Sequence, residues 1–339
     1  MTRSLSLSLP LSSLLALGAC GVATVAPSSP GGTQRAPAAP LEAPPGRPAA
    51  PDGEPGGDTA SDGDTAPDGG DTGATSPPGA PVRFVALGDG GQGNAGQYAV
   101  AAGMEAVCAA KGCDFAIYLG DNIYSDGVSS VDDAQFEEKF EAPYANLAFP
   151  FYMALGNHDW GNGREGTEHQ IAYTDRSEKW TMLDHYYTHT QGDVGFFVLD
   201  SQAIKDGDIA PQEAWLAGAL AASTSGWKIA YAHHPYVSNG DHGNTGGEFG
   251  DFFDRNLCGK VDIYFAGHDH DLQWLQPVCE TEMIVSGAAA GTRDLAGSNP
   301  TLFETATKGF LWVEIAGDTM TGVFYDSDGA ELFRRVVTR

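Results

Sequence analysis

Seven side chains of this 339-residue chain are of types that bind metal ions, and each comes at or soon after the end of a run of apolar residues. They are Asp89, Asp121, Tyr124, Asn157, His233, His268 and His270. Imidazole, carboxylate and phenolate groups suit iron, zinc or manganese and argue against a soft thiolate site. Because seven ligands exceed what one small cation needs, they predict two metal ions, with the central Asp121 as the bridging carboxylate. Two metal ions about 3.5–4 Å apart stabilise both the attacking and the leaving oxygen in phosphoryl hydrolysis, so this is the predicted chemistry.

Five short apolar runs must position these ligands. Each run leads into a loop that carries Asp, Asn or His, namely Gly88-Asp89, Gly120-Asp121, Gly156-Asn157, His233-His234-Pro235 and Gly267-His268. A Gly-Asp pair alone is ordinary turn chemistry, so the inference depends on the repetition. Short apolar runs predict buried strands, and open α/β sheets bind ligands at the carboxyl ends of their strands. We therefore expect these five loops to converge.

Helical sequence alternates with these runs and places the chain in the α/β class. We expect helices over about residues 95–110, 131–141, 170–179 and 211–222. From Met283 onward, several short apolar runs follow one another and suggest antiparallel strands of a second sheet. Strands that alternate with helices, followed by a series of strands, predict a two-sheet sandwich with helices outside.

The ordered motifs resemble those of the calcineurin-like metallophosphoesterases. The matching pieces are Gly88-Asp89, Gly120-Asp121-Asn122-x-Tyr124, Gly156-Asn157-His158-Asp159, His233-x-Pro235 and Gly267-His268-x-His270. Most of that superfamily has Asp-x-His in the first motif, whereas this chain has Asp89-Gly90-Gly91 and a tyrosine three residues after Asp121. That combination resembles the purple acid phosphatases, and more narrowly their small, tartrate-resistant subgroup, over roughly residues 82–330. Gly90 departs from the subgroup, which usually has a tryptophan there.

The resemblance implies a fold, an activity and a set of residue roles. The fold is a four-layer α/β/β/α sandwich of two mixed β-sheets flanked by helices, in residues 81–339. The activity is that of an acid phosphatase, in which a metal-bound hydroxide attacks a phosphate monoester. A ferric ion (Fe3+) would be held by Asp89, Tyr124 and His270, and a divalent ion (Fe2+, Zn2+ or Mn2+) by Asn157, His233 and His268, with Asp121 as the bridge. His242 would protonate the leaving alkoxide or bind phosphate, and His158 would donate a hydrogen bond to phosphate.

Two other functions stay open on the sequence. The motifs hardly separate monoesterases from diesterases, so a phosphodiesterase or nucleotide hydrolase on the same scaffold is an alternative. A binding module with a vestigial metal site is disfavoured, because no ligand position is lost.

We expect Asp159 and Asp269 to shape turns, and we also considered His234 as a metal ligand and Arg293 as a phosphate contact.

The N-terminal eighty residues differ from the rest in composition. Residues 1–19 carry one early arginine and a Leu/Ser-rich apolar run, which predicts a signal peptide. Leu17-Gly18-Ala19-Cys20 resembles a bacterial lipobox, so we expect a lipid on Cys20 and a periplasmic or cell-surface lipoprotein. The alternative is a plain signal peptide with an incidental cysteine and a secreted protein. Residues 20–80 are rich in Pro, Gly and Asp and predict a disordered linker to the catalytic domain, residues 81–339.

Charge and cysteine content limit the possible partners and cross-links of the chain. A net charge of −27 argues against nucleic acid as a partner. We expect small phosphorylated substrates, a monomer, and membrane contact only through the lipid on Cys20. Of the five cysteines, four lie in the catalytic domain, and we favour disulfides Cys108–Cys113 and Cys258–Cys279 on proximity in the sequence. Free buried thiols are the alternative, and a zinc site is less favoured because no Cys-x-x-Cys pair occurs.

Overall fold

The computed structural model describes residues 79–339. The predicted signal peptide, Cys20 and the linker as far as residue 78 lie outside the described residues. The strands are β1 (Val82–Leu87), β2 (Phe115–Tyr118), β3 (Phe151–Met153), β4 (Trp180–Thr181), β5 (Tyr187–Gln191), β6 (Val194–Val198), β7 (Trp227–Tyr231), β8 (Ile263–Ala266), β9 (Leu272–Leu275), β10 (Glu282–Ser286), β11 (Thr301–Thr305), β12 (Gly309–Ala316), β13 (Thr319–Asp326) and β14 (Glu331–Thr338). The α-helices are α1 (Ala95–Lys111), α2 (Gly163–Ala172), α3 (Ser201–Lys205), α4 (Ala210–Ala222) and α5 (Gly247–Asn256). None of these described helices combines the length and the apolar character that crossing a bilayer requires.

The first sheet has the strand order β14-β13-β12-β1-β2-β3-β4. Strands β1 to β4 are parallel, and β12, β13 and β14 continue the sheet from β1 in antiparallel register. The prediction that the strands after Met283 form a second sheet is therefore wrong for β12 to β14. Their apolar pattern identifies them as strands but does not specify which edge they pair with.

The second sheet has the order β11-β9-β10-β8-β7-β6-β5. Strands β6, β7, β8 and β10 are parallel, while β5, β9 and β11 pair antiparallel to their neighbours. Strand β10, which contains Met283, belongs to this sheet as predicted, but it runs parallel to β8. Both sheets are therefore mixed.

The two sheets pack face to face through aromatic side chains. Phe84 of β1 lies 5.5 Å from Phe196 of β6 and 6.0 Å from Phe265 of β8, measured between ring centroids. Successive side chains of β8 point to opposite faces of the sheet. Phe265 joins this central core, while Tyr264 joins a second apolar cluster with residues of α3, α4 and α5. Helix α1 packs against β12 and β13 of the first sheet. The predicted sandwich of two mixed sheets flanked by helices is confirmed.

Two of the four predicted helices have the expected bounds, and two do not. The helix expected over residues 131–141 is wrong at its start, since helical backbone begins only at residue 135 and continues as a π-helical turn at Glu137–Glu141. Asp133 accepts hydrogen bonds from the backbone N–H groups of Ser129 and Gln135, and this local turn competes with a helix. The helix expected over residues 170–179 instead spans Gly163–Ala172, where two glycines weaken the helical signal.

Both favoured disulfides are present. Cys108 is bonded to Cys113, and Cys258 is bonded to Cys279. The first closes the end of α1, and the second joins the chain after α5 to the turn before β10. The alternatives of free thiols and a zinc site are excluded for these four cysteines.

Candidate metal centre

Parallel strand pairing brings the five predicted loops together. In the first sheet Leu87 pairs with Tyr118, and Tyr118 pairs with Met153, so β1, β2 and β3 end at the same level. In the second sheet β7 and β8 are also parallel. The two sheets meet at this edge, where the backbone N–H of His268 donates to Asp89 Oδ2 at 2.8 Å. All seven predicted ligands therefore lie in one cluster.

One half of the cluster consists of Asp89, Tyr124 and His270. The Tyr124 hydroxyl lies 3.2 Å from Asp89 Oδ1 and 3.1 Å from His270 Nε2. His270 Nε2 lies 3.5 Å from Asp89 Oδ1. These three side chains are the ones that sequence analysis assigns to a ferric ion.

The other half consists of Asn157, His233 and His268. His233 Nε2 lies 3.0 Å from Asn157 Oδ1 and 3.1 Å from His268 Nδ1. Asp121 joins the halves, because its carboxylate lies 3.4 Å from His233 Nε2 and within 4.8 Å of the Asp89 carboxylate. This is the position that a bridging ligand requires.

The donor set fits a pair of cations. His233 Nδ1 lies 2.9 Å from the carbonyl oxygen of Leu119, which can only accept, so Nδ1 carries the proton. In the neutral imidazole that binds metal, His233 Nε2 then presents a lone pair toward the oxygens Asn157 Oδ1 and Asp121 Oδ1. A cation between these groups would be bound by all three of them, and the bond from Nδ1 to a carbonyl is the usual support of a metal-binding imidazole.

The electrostatics of the cluster lead to the same conclusion. Burial, followed by the charges of Asp89 and Asp121, raises the pKa of the Tyr124 phenol far above its usual range. Burial also raises the pKa of Asp89 well above that of an ordinary carboxyl. Burial lowers the pKa values of the His268 and His270 imidazoles, which favours the neutral form that binds metal. Buried acids whose ionisation is this unfavourable require positive charge to become ligands.

Three of the seven residues have left-handed backbone conformations that side chains with a Cβ rarely adopt. The φ angles are 61° for Asp89, 53° for Asp121 and 69° for His268. Such conformations cost on the order of 1–3 kcal/mol each and are concentrated at functional sites. Gly156 is required for another reason, since a Cβ there would lie 2.2 Å from Asp121 Oδ1.

Asp159 shapes its own turn, as expected, and also holds the second and third loops together. Its carboxylate accepts hydrogen bonds from the backbone N–H groups of Asn122, Ile123 and Gly156, and from the Gln170 side-chain amide. Burial, with a contribution from Asp121, raises the pKa of Asp159 to about 7. The residue thus fixes the loops that carry Asp121 and Asn157.

The two predicted catalytic histidines lie at the rim of the cluster. The backbone N–H of His158 donates to Asp121 Oδ1 at 2.9 Å, and its ring lies 4.5 Å from that of Tyr124. The exposed His242 stacks on His268 with 4.2 Å between ring centroids. Its backbone N–H donates to Asp269 Oδ1 at 2.8 Å, so Asp269 also positions a loop, as expected.

His234 and Arg293 have contacts that the sequence did not predict. His234 is buried, with Nδ1 2.8 Å from Ser201 Oγ and its ring 4.5 Å from that of His268. Arg293 contacts His242, with Nη1 2.5 Å from Nε2. The residues in each pair are more than thirty positions apart, so the only signal in the sequence was their proximity to motif residues.

The replacement of the family tryptophan by Gly90 has a steric explanation. A Cβ at Gly90 would lie 2.2 Å from the Tyr118 hydroxyl oxygen and 2.9 Å from that of Tyr144. Both tyrosines are buried. The space beside Gly90 is therefore occupied by these hydroxyl groups, and no side chain at this position forms a wall of the site.

Comparison with known proteins agrees with this geometry. The calcineurin-like phosphoesterase family matches residues 71–272. Tartrate-resistant acid phosphatase type 5 of Mus musculus is 30% identical over 309 residues, which cover 77% of this chain and 92% of that protein. Purple acid phosphatase 4 of Arabidopsis thaliana is 28% identical over 286 residues, 76% of this chain and 84% of that protein.

Among solved structures, the fold is similar to that of GAP50, the anchor in the inner membrane complex of Plasmodium. The TM-score is 0.66 at 20% identity, over 76% of this chain and 89% of GAP50. At that identity the likeness concerns the fold alone. On the family match and the acid phosphatase relatives together, the chain belongs to the calcineurin-like phosphoesterases, as a metal-dependent hydrolase of phosphate esters in the tartrate-resistant and purple acid phosphatase group.

Proposed function

We propose that the protein is a binuclear acid phosphatase that hydrolyses phosphate monoesters at mildly acid pH. The observation that carries this proposal is the position of Asp121, whose carboxylate lies within 4.8 Å of the ligand atoms of both Asp89 and His233, one from each half of the cluster. Asp89, Tyr124 and His270 would hold Fe3+, since phenolate and carboxylate oxygens suit a hard cation. Asn157, His233 and His268 would hold the divalent ion (Fe2+, Zn2+ or Mn2+), which accepts a neutral amide and imidazoles.

The cations would supply Lewis acidity toward the phosphoryl group and an activated water as the nucleophile. Two histidines of the chain lie at the rim of the metal cluster and would act on the substrate. His158 would donate a hydrogen bond to a phosphate oxygen from its place above Asp121. His242, stacked over His268, would bind phosphate or hold the proton that the leaving alkoxide receives.

The decisive experiment measures metal content, colour and turnover on one preparation of the full-length protein. We expect two metal ions per chain, turnover of p-nitrophenyl phosphate faster than of bis(p-nitrophenyl) phosphate, and a visible band from tyrosinate-to-iron charge transfer. Tyr124→Phe should abolish the band, whereas Tyr98→Phe, at a tyrosine that is 45% exposed, should retain it. A colourless active enzyme would refute the iron assignment. Faster diester turnover would identify a phosphodiesterase. An inactive protein loaded with two metal ions would refute the proposal that this protein is a phosphatase.

We also propose that the protein is exported and anchored through a lipid on Cys20. The two disulfides support this proposal, because disulfides persist in oxidising compartments. In a bacterial host, we expect the full-length protein in the membrane fraction and Cys20→Ser in the soluble fraction. Equal membrane association of both proteins would contradict the lipid anchor.

A further inference from the structure

Arg293 places a guanidinium group at the rim of the metal cluster. Its backbone N–H donates to the carbonyl oxygen of His270 at 2.9 Å, so its main chain is tied to a residue of the Asp89 half. Its side-chain Nη1 lies 2.5 Å from Nε2 of His242, which stacks on His268 of the other half. The guanidinium is thus separated from His268 by one side chain, His242, while the main chain of Arg293 is bonded to the main chain of His270.

The main chain that leads to Arg293 is held tightly beneath the site. Residues 286–291 are all Ser, Gly or Ala. A Cβ at Gly287 would lie 2.7 Å from Asp89 Oδ2, and the backbone N–H of Ala289 donates to the carbonyl of Gly88 at 3.2 Å. Because the segment packs this closely against the first ligand loop, it fixes where Arg293 emerges.

The guanidinium retains unused hydrogen-bond donors. An arginine side chain only donates, so His242 Nε2 must be the acceptor of the bond from Nη1. The second contact of Nη1 is a long ion pair of 3.9 Å with the exposed Asp241. Among the described residues, Nε and Nη2 have no protein partner within hydrogen-bond distance. The side chain is 38% exposed, so these donors are accessible.

We propose that Arg293 is a substrate-binding residue that recognises the phosphate dianion of a monoester. A guanidinium donates two parallel hydrogen bonds to phosphate oxygens, a geometry that a lysine ammonium does not reproduce. A monoester dianion carries one more negative charge than a diester and presents an additional terminal oxygen. Arg293 therefore favours monoesters over diesters, and it does so next to His242. This inference rests on the proposed function, since it assigns the substrate class of the same site.

The test uses the full-length, metal-loaded protein and the variants Arg293→Met and Arg293→Lys. The control is Arg255→Met, which removes an exposed guanidinium that pairs with Glu213 on α4. Steady-state kinetics on p-nitrophenyl phosphate and bis(p-nitrophenyl) phosphate gives kcat and KM for each ester. Calorimetry with inorganic phosphate gives the Kd directly, and metal content with circular dichroism shows that each variant is folded and loaded.

We expect Arg293→Met to raise the monoester KM and the phosphate Kd by about 10- to 100-fold, as for loss of a charged hydrogen bond. The kcat should change less, and the preference for the monoester should fall by about tenfold. Arg293→Lys should recover part of the affinity, and Arg255→Met should match the wild type.

Two outcomes overturn the role of Arg293. One is an Arg293→Met variant that binds phosphate as tightly as the wild type and keeps its ester preference, which would leave Arg293 as a partner of His242 and Asp241 only. The other is a metal-loaded wild type that does not bind phosphate. Failure of the proposed function appears differently, as a wild type that turns over neither ester, and the phosphate Kd of the variants still decides the inference about Arg293.

Discussion

At the scale of single residues, Asp121 has the most demanding position in the molecule. It is 98% buried, has a left-handed φ of 53°, and faces Asp89 and His233 within 4.8 Å. Its Oδ1 also accepts the backbone N–H of His158 at 2.9 Å. A carboxylate can contact two cations with its two oxygens, whereas an amide has one oxygen and one donor group.

We therefore expect Asp121→Asn to lose metal and activity together. The variant should hold fewer than two metal ions per chain, and its turnover of p-nitrophenyl phosphate should fall by about 100- to 1,000-fold, the range seen when a key electrostatic group is removed. Metal analysis after dialysis checks the first point, and kinetics checks the second. Asp251→Asn, at an exposed aspartate of α5, should change neither. Full metal content in Asp121→Asn would contradict the bridging role.

Gly90 provides a second test at this scale. The Tyr118 hydroxyl oxygen is the atom that a Cβ at this position would approach most closely, at 2.2 Å. We expect Gly90→Ala to lower the free energy of unfolding by about 1–3 kcal/mol through overpacking. Tyr118→Phe removes the obstructing oxygen, so the double variant should recover part of that loss. Urea unfolding of the four proteins measures the coupling, and strict additivity would show that the hydroxyl is not the obstacle.

At the scale of elements, the site is assembled by loops that follow parallel strands. The sequence predicted these strands because their apolar runs end abruptly in Gly-Asp, Gly-Asn or His-His. It did not predict that Asp159 and Gln170 join the loops, since a hydrogen bond between a side chain and a distant backbone group leaves no periodic signal. The same limit applies to β12, which pairs with β1 across more than 220 residues of intervening chain, and to β13 and β14, which extend the sheet from β12.

Asp159→Asn tests whether this loop junction supports the metal site. The amide keeps one acceptor oxygen and replaces the other with a donor, so at least one of the N–H groups of Asn122, Ile123 and Gly156 would lose its acceptor. We expect a loss of about 1–3 kcal/mol in the free energy of unfolding and a metal affinity lower by about 10- to 100-fold. Denaturant unfolding and metal titration measure the two effects.

The matched control is Asp133→Asn. Asp133 also accepts two backbone N–H groups, but in a surface turn, and these bonds lower the pKa of its carboxyl. This variant should lose some stability while it retains the metal affinity of the wild type. If both variants bind metal equally well, the Asp159 junction has no special role in the site.

At the scale of the whole molecule, the interface between the two sheets contains a neutral histidine. His189 lies between Tyr152 of the first sheet and Phe196 of the second, with ring centroids 3.8 Å and 4.5 Å away and nearly parallel planes. Its Nδ1 has no hydrogen-bond partner among the described residues. Burial lowers the pKa of His189 to about 3, so the native protein keeps it uncharged at mildly acid pH.

This histidine should make the protein less stable as the pH falls. The unfolded chain binds a proton at His189 below about pH 6.5, and the native state binds it only near pH 3, so protonation favours unfolding between these values. At pH 5 the loss from this residue amounts to about 2 kcal/mol relative to neutral pH. His189→Phe keeps an aromatic ring between Tyr152 and Phe196 and has no group to protonate. We therefore expect its free energy of unfolding to decline less between pH 7.5 and pH 5 than that of the wild type.

Denaturant unfolding of both proteins at the two pH values measures this difference. Tyr231 contacts His189 Nε2 at 3.3 Å and also donates to the Tyr152 carbonyl at 3.3 Å, so its hydroxyl keeps a partner in the variant. His169→Phe, at a partly exposed histidine of α2, should show the wild-type pH dependence. An equal decline in the wild type and His189→Phe would mean that another buried group causes the acid sensitivity. A smaller decline in the variant alone would show that His189 lowers the stability of the protein at the mildly acid pH proposed for its activity.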